Sequence, residues 1–288
     1  MNYGSNPHGF DRIPIIRRAL WTLHSRIKAG DLQTDWPTFH IPSETPSRSD
    51  GDILYVQWIA KKVAQHYRLN NTTFIVCRNP LLDSAAQVEV RSANEIFVEF
   101  KKLDFGVETE IWAIMAHEIA HIFLNRLSLG FPDKLDNEVL TDTASIYLGF
   151  GTYFLSALWD EVSQVSHSGY KTTTHRIGYI SANEAGYILS RRDRLVGENS
   201  SSAISSTPGH NGYMRGTQQF LHEQNRRPFI ERSFLNRLVH RLNWRAPVVP
   251  ELILLGCIVC SQPIRVPALH KTLMVKCPNC CATIRCFS

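Results

Sequence analysis

The five residues His117-Glu118-Ile119-Ala120-His121 constrain the fold of this chain more than any other feature. They stand in the apolar run EIWAIMAHEIAHIFL, where Ile111, Ile114, Met115, Ile119, Ile122 and Phe123 leave almost no polar face on a helix. Histidines four apart on a helix project from one side, so His117 and His121 can reach a common point. In so apolar a helix that point lies inside the protein. Two imidazoles and the Glu118 carboxylate, buried without partners, would cost several kcal/mol, and a metal ion satisfies all three. A solvent-facing helix with two titrating histidines is the alternative, and the apolar neighbours oppose it. The pattern predicts a helix from about residue 108 to 127, ended by Gly130 and Pro132.

A second helix is expected from about residue 136 to 162. Along it Glu138, Asp142, Ser145, Gly149 and Thr152 recur as one stripe of polar and small residues, while Val139, Leu140, Ile146, Leu148, Phe150, Phe154 and Leu155 cover the other faces. A narrow stripe of acid and glycine on an apolar helix suits a polar site within a core. Glu138 can supply a third metal ligand. Asp142, one turn on, can accept a hydrogen bond from a ligating histidine and fix its tautomer. The preference of acids for helix N-termini would also explain Glu138, but explains Asp142 poorly. Gly149 and Gly151 are expected to let the two helices approach closely. Glu118 is placed to take a proton from a metal-acidified water attacking a peptide carbonyl.

An HExxH helix followed by ExxxD on the next helix resembles the gluzincin metallopeptidases. The resemblance implies a catalytic zinc on His117, His121 and Glu138, with Glu118 as general base and Asp142 behind a ligating histidine. An aspartate-ligand zincin, with Asp142 as third ligand, is the second option. Three strand candidates, residues 73–77, 87–90 and 95–100, precede the helix with alternating apolar residues. They resemble the zincin core, whose edge strand binds extended substrate. The resemblance covers roughly residues 50–160. A further group is needed to stabilise an oxyanion, and His167, Tyr170, His175, Arg176 and Tyr179 are the candidates, with no choice among them.

Six of the 7 cysteines cluster at the C-terminal end. Cys257 and Cys260 form one CxxC, Cys277 and Cys280 a second, which is the spacing of a zinc ribbon closed by four thiolates on one structural zinc. Such a site is a folding staple rather than a catalyst. Cys281 and Cys286 are surplus and one could replace a ligand; His270 is a weaker contender. Clustered cysteine pairs argue for metal binding in a reducing compartment, and the N-terminal MNYGSNPHGFDRIPIIRR shows no secretory pattern, so a cytoplasmic protein is expected. Arg265, His270, Lys271, Lys276 and Arg285 make the ribbon basic, and Arg226, Arg227, Arg232, Arg237, Arg241 and Arg245 precede it. It could bind nucleic acid, dock a protein partner or pack on the protease. A protease with a ribbon also resembles the SprT-like proteases, although these use a third histidine soon after HExxH and FLNRLSLGF here has none.

The expected fold class is α+β: a minimal zincin-like domain, built from a small three-stranded sheet and active-site helices, with a C-terminal zinc ribbon. Residues 1–197 form the metallopeptidase domain, with N-terminal helices over 11–29 and 52–67 and a further helix starting at Ser181, where Ser181 and Glu184 have capping-box spacing. Residues 198–215 are expected to be a Ser/Gly-rich linker or loop, 216–249 a helical connector and 250–288 the ribbon. The apolar stretch 139–159 carries Asp142 and is read as a core helix, so no membrane span is expected; a membrane-associated peptidase spanning through 139–158 is the rival. The expected activity is hydrolysis of a peptide bond in a peptide or protein, using one catalytic and one structural zinc. The alternative is a non-catalytic zincin-fold scaffold or regulatory protein whose ribbon binds nucleic acid or a partner.

Overall fold

The computed structural model describes residues 9–27, 32, 34–46, 52–83, 86–92, 94–101, 108–166, 169–175, 178–226, 252–257, 262–267, 273–278 and 283–286. Helix α1 (Ile13–Arg26) has proline in its first turn, where a missing N–H costs nothing, and buries Ile16, Ala19, Leu20 and Leu23. Helix α2 (Asp52–His66) buries the stripe Val56, Ile59, Ala60 and Val63.

Strands β1 (Thr73–Arg78), β2 (Ala86–Ser92) and β3 (Glu95–Phe100) form one sheet in the order β1-β3-β2, with β1 parallel and β2 antiparallel to the central β3. The three expected strands are present, and the last of them lies in the middle. Ile96, Val98 and Phe100 are therefore the buried centre of the sheet. The two edges differ. On β1, Gln57 of α2 reaches across: its amide donates to the Phe74 carbonyl, and its carbonyl accepts the Val76 N–H at 2.7 Å. On β2, no described strand pairs with the outer edge.

Helix α3 (Glu108–Arg126) matches the expected span, and every residue from Ile111 to Ala120 is buried, including His117 and Glu118. Helix α4 (Lys134–Ser145) is capped by Asp133, whose side chain accepts the Asp136 N–H at 3.0 Å. The single helix expected over 136–162 is not observed. Helical winding passes into a π-helical turn, Ile146–Phe150, where Gly149 has φ 115°, and resumes as α5 (Gly151–Ala157). Strand β4 (Trp159–Ser166) then pairs with β5 (Gly169–His175). The cause of the break is the approach of residues 37–39. Gly149 accepts the Phe39 N–H at 3.0 Å, and a Cβ on Gly149 would lie 2.5 Å from the Pro37 carbonyl oxygen. The two glycines thus make room for neighbours other than α3: Gly149 for residues 37–39, and Gly151 for Leu189.

Helix α6 (Ala182–Val196) begins with the capping box read from the sequence. Ser181 Oγ accepts the Glu184 N–H at 3.2 Å, and Glu184 accepts the Ser181 N–H at 2.8 Å. The stretch 198–215 is not a linker. It carries α7 (Ser201–Ile204) and the first turns of α8 (His210–Arg226). Its glycines serve close packing rather than freedom of movement: a Cβ on Gly212 would lie 2.6 Å from the Ala182 carbonyl oxygen of α6. Buried ionic bonds join α1, α6 and α8. Glu223 pairs with Arg17, accepts from Arg191 at 3.2 Å and accepts the Tyr187 hydroxyl at 2.6 Å. The body that carries the HExxH helix therefore runs through Arg226 among the described residues, beyond the boundary expected at 197.

Residues 227–251, which hold the rest of the expected helical connector, lie outside the described residues. Beyond them stand two antiparallel hairpins, β6 (Leu252–Gly256) with β7 (Pro263–Pro267), and β8 (Leu273–Lys276) with β9 (Thr283–Cys286). No described helix is long and apolar enough to cross a membrane. The π-helical turn interrupts the stretch that was the rival span.

Candidate metal centre

Three side chains from α3 and α4 converge. His117 Nε2 lies 3.2 Å from His121 Nε2 and 3.2 Å from Glu138 Oε2, and His121 Nε2 lies 3.3 Å from the same oxygen. Ligands at about 2.0–2.1 Å from a tetrahedral zinc stand about 3.3 Å from one another, so the three atoms already form one face of such a tetrahedron. The group could hold a metal ion.

The outer nitrogens fix which way the inner ones point. Asp142 Oδ1 lies 2.7 Å from His117 Nδ1, and a carboxylate only accepts, so Nδ1 carries the hydrogen. Thr141 donates its hydroxyl to the Asn137 carbonyl at 3.0 Å, which leaves its oxygen to accept from His121 Nδ1 at 3.2 Å. The Nε2 atoms of both rings are therefore the ones that face each other and the Glu138 carboxylate. A proton held by His117, or a metal cation in its place, offsets the repulsion among these three atoms.

The same geometry separates the two acids. Asp142 contacts the far nitrogen of His117, and its second oxygen accepts the Tyr179 N–H at 2.6 Å. Both oxygens are thereby turned away from the convergence point. Glu138 is the carboxylate of the group that could hold a metal ion, and Asp142 instead bonds the outer nitrogen of His117.

Helix α4 is held in this register by short side chains. Ser145 donates to the Ala116 carbonyl at 3.2 Å, and Tyr67 of the segment after α2 donates to the same oxygen at 3.1 Å. The charge balance favours a cation. Burial works against a charged His117, yet the charge and hydrogen bond of Asp142, then Glu138 and Glu118, raise its pKa well above the usual imidazole value. A divalent metal would displace that proton. Burial pushes the Glu138 carboxyl up, but hydrogen bonds and charge from His117 and His121 bring it down to about 2. Glu118 moves the other way: burial raises it, helped by the charges of Glu138 and Asp142 and opposed by the two histidines.

The ligands open on a cleft of about 640 Å³ between β2 and α3. Val88 and Val90 form part of one wall, Ile114 and Ile122 part of the other, and Glu118 lies on its surface without belonging to the donor triangle. Of the oxyanion candidates, Tyr179 lines this cleft, with its ring stacked on that of His117 at 6.4 Å between centroids and 25° between planes. Tyr170 and His175 fall on β5, where side chains are not described; His167 and Arg176 lie outside the described residues.

Two contributors were not apparent in the sequence. Thr141 is a small polar residue three positions after Glu138, and that spacing was its one available signal. Gly178 has φ 78°, and a Cβ there would lie 2.6 Å from Asp142 Oδ2. Nothing in the local pattern pairs residue 178 with residue 142.

In the C-terminal hairpins Cys257 directly follows β6 and Cys277 directly follows β8, and both are buried. The Cys257 N–H donates to the Gln262 carbonyl at 2.8 Å. Cys260, Cys280 and Cys281 lie outside the described residues. No family model, curated protein or solved structure matches the chain.

Proposed function

We propose that this chain is a zinc-dependent peptidase of the gluzincin type. One observation carries the reading: two imidazole Nε2 atoms and the Glu138 carboxylate face one point at mutual distances of 3.2–3.3 Å, in a cleft that a further carboxylate outside this group, Glu118, also lines. A zinc ion there would supply a Lewis acid and an acidified water. Glu118 takes the proton of the attacking water on its carboxylate and passes it to the departing amine nitrogen. Its raised pKa suits that exchange, because a carboxyl nearer neutrality both accepts and releases a proton readily. Asp142 holds the His117 ring and its tautomer through the step. Tyr179, which lines the same cleft and stacks beside His117, is the described candidate for stabilising the developing oxyanion.

The substrate is an extended peptide. The outer edge of β2 lies along the cleft, and backbone groups on a strand edge recruit another extended segment. The ribbon cysteines Cys257, Cys260, Cys277 and Cys280 would take a second, structural zinc, as suits a cytoplasmic protein.

Metal content and peptide cleavage measured together on the full chain test the reading. Wild type should hold two zincs and cleave; His117→Ala should hold one and be inactive; Glu118→Gln should hold two and be inactive. Cleavage retained by Glu118→Gln would refute the mechanism. Zinc retained with no cleavage of any peptide by wild type would make the chain the non-catalytic scaffold instead.

A further inference from the structure

The metal centre lies within a cleft whose two ends carry opposite charge. Along α3 the cleft is lined by Glu110, Ile114, His117, Glu118, His121 and Asn125. From Glu110 to Asn125 the helix rises about 22 Å, enough for about six residues of extended peptide. Helix α4 runs antiparallel to α3 here, because Ser145 meets Ala116 while Thr141 meets His121. Continuing that register places Lys134, which also lines the cleft, at the Asn125 end. Glu110 stands at the other.

Lys134 has no competing partner nearby. It is exposed, and among the described residues no hydrogen bond or ion pair of its side chain is formed. The acids around it are committed elsewhere. Asp133 caps α4, Asp136 pairs with Arg18 at 2.5 Å, and Glu138 faces the two histidines. The Asn125 side chain is exposed at the same end. A solvated lysine on a helix is ordinary; a lysine that lines the reaction cleft one turn from a metal ligand, with its neighbouring acids already satisfied, selects charge.

Resting on the peptidase reading above, we infer that Lys134, with Asn125, is a specificity anchor for a carboxylate on the substrate. Lys134 precedes Glu138 by one turn, about 6 Å along the axis. An extended peptide advances about 3.3 Å per residue, so the recognised carboxylate lies about two residues from the scissile carbonyl. Two sources carry that chemistry, an Asp or Glu side chain and the free C-terminal carboxylate of a short peptide.

The test uses the zinc-loaded full chain and a proteome-derived peptide library, with cleaved positions read by mass spectrometry. Wild type should favour a carboxylate about two residues from the cut. Lys134→Ala should raise KM about ten-fold with kcat little changed, the size of one charge-assisted contact. Lys134→Glu should turn the preference towards Lys and Arg. Synthetic versions of the cleaved peptides, made with only the C-terminus amidated, separate the sources: loss of the preference identifies the terminal carboxylate, and its persistence identifies a side chain. A second readout avoids turnover. Glu118→Gln protein should bind the best fluorescent peptide about ten-fold more tightly than its uncharged analogue. Lys134→Ala and Lys134→Glu are surface changes and should melt as wild type does. Cleavage without preference at that position, or a preference unchanged in Lys134→Glu, overturns the anchor and leaves the peptidase reading standing. No cleavage of any peptide by wild type removes both.

Discussion

Asp142 and His117 share a buried hydrogen bond of 2.7 Å, and the other oxygen of Asp142 is taken by the backbone of Tyr179 at 2.6 Å. One carboxylate thus fixes the tautomer of a histidine in the candidate metal group and fastens the segment that carries the tyrosine stacked on it. The consequence is that the geometry of the candidate metal group and the shape of the cleft depend on the same two oxygens.

Asp142→Asn should separate ligand orientation from ligand identity. An amide offers one acceptor where two donors, the His117 Nδ1–H and the Tyr179 N–H, now require one each. The fold should persist, because Asn occupies the same volume, while zinc affinity falls about 10–100-fold, the usual cost of losing a partner behind a ligating histidine. Competition with a chromogenic chelator measures this directly. An unchanged affinity would show that His117 is oriented by packing alone.

Gly178→Ala attacks the same joint from the other side. The backbone there has φ 78°, and the added methyl would lie 2.6 Å from Asp142 Oδ2. Left-handed strain costs about 1–3 kcal/mol, and relieving the contact requires residues 178–179 to leave Asp142. The variant should melt several degrees lower and show a raised peptide KM. Equal melting and KM would mean that the segment has no role in shaping the cleft.

Much of this centre was legible in the sequence because helical periodicity is local. His117, Glu118 and His121 share one turn of an apolar helix, and the acids Glu138 and Asp142 recur four apart on the next. The capping box at Ser181 and Glu184 was readable for the same reason. What was not legible depends on contacts distant in the chain. The helix expected to run through residue 150 is interrupted because residues 37–39 press on Gly149, and nothing near residue 149 announces that. Serine and glycine over 198–215 suggested a linker from composition. In the structure Ser200 donates to the Asp193 side chain at 2.9 Å and Gly212 packs on α6, so the same residues serve as close-contact positions. The choice between Glu138 and Asp142 as ligand needed coordinates, because it turns on which nitrogen of His117 each acid meets.

Gly149→Ala tests the interruption itself. With φ 115° and a Cβ that would lie 2.5 Å from the Pro37 carbonyl oxygen, alanine must either strain the backbone or push residues 37–39 away, breaking the Phe39 N–H bond to Gly149. The loss should exceed the about 1–3 kcal/mol of the backbone term alone. Chemical denaturation should show a lower midpoint with an unchanged slope, and zinc content should be normal, since the ligands lie on α3 and α4. A midpoint equal to wild type would mean that the segment yields without cost.

Glu223 contributes to stability against acid. It is buried between Arg17 and Arg191 and also accepts the Tyr187 hydroxyl. Burial pushes its carboxyl up, yet the Arg17 hydrogen bond and the charges of Arg191 and Arg17 outweigh that and hold its pKa below the usual glutamate value. A carboxyl with a depressed folded pKa binds fewer protons in the native state than in the unfolded one. Its contribution is therefore fully present above the unfolded value and is lost as pH falls through the folded one. Glu184 and Asp193 act in the opposite sense, because burial raises both of them, and they are present in wild type and variant alike. The difference between wild type and Glu223→Gln isolates the Glu223 term. At neutral pH the variant should be less stable by about 3–5 kcal/mol, the cost of leaving buried guanidinium charges without their counter-ion. The gap should narrow steadily as denaturation is repeated at lower pH, below the ordinary glutamate range. A gap that stays constant with pH would show that Glu223 contributes packing rather than charge.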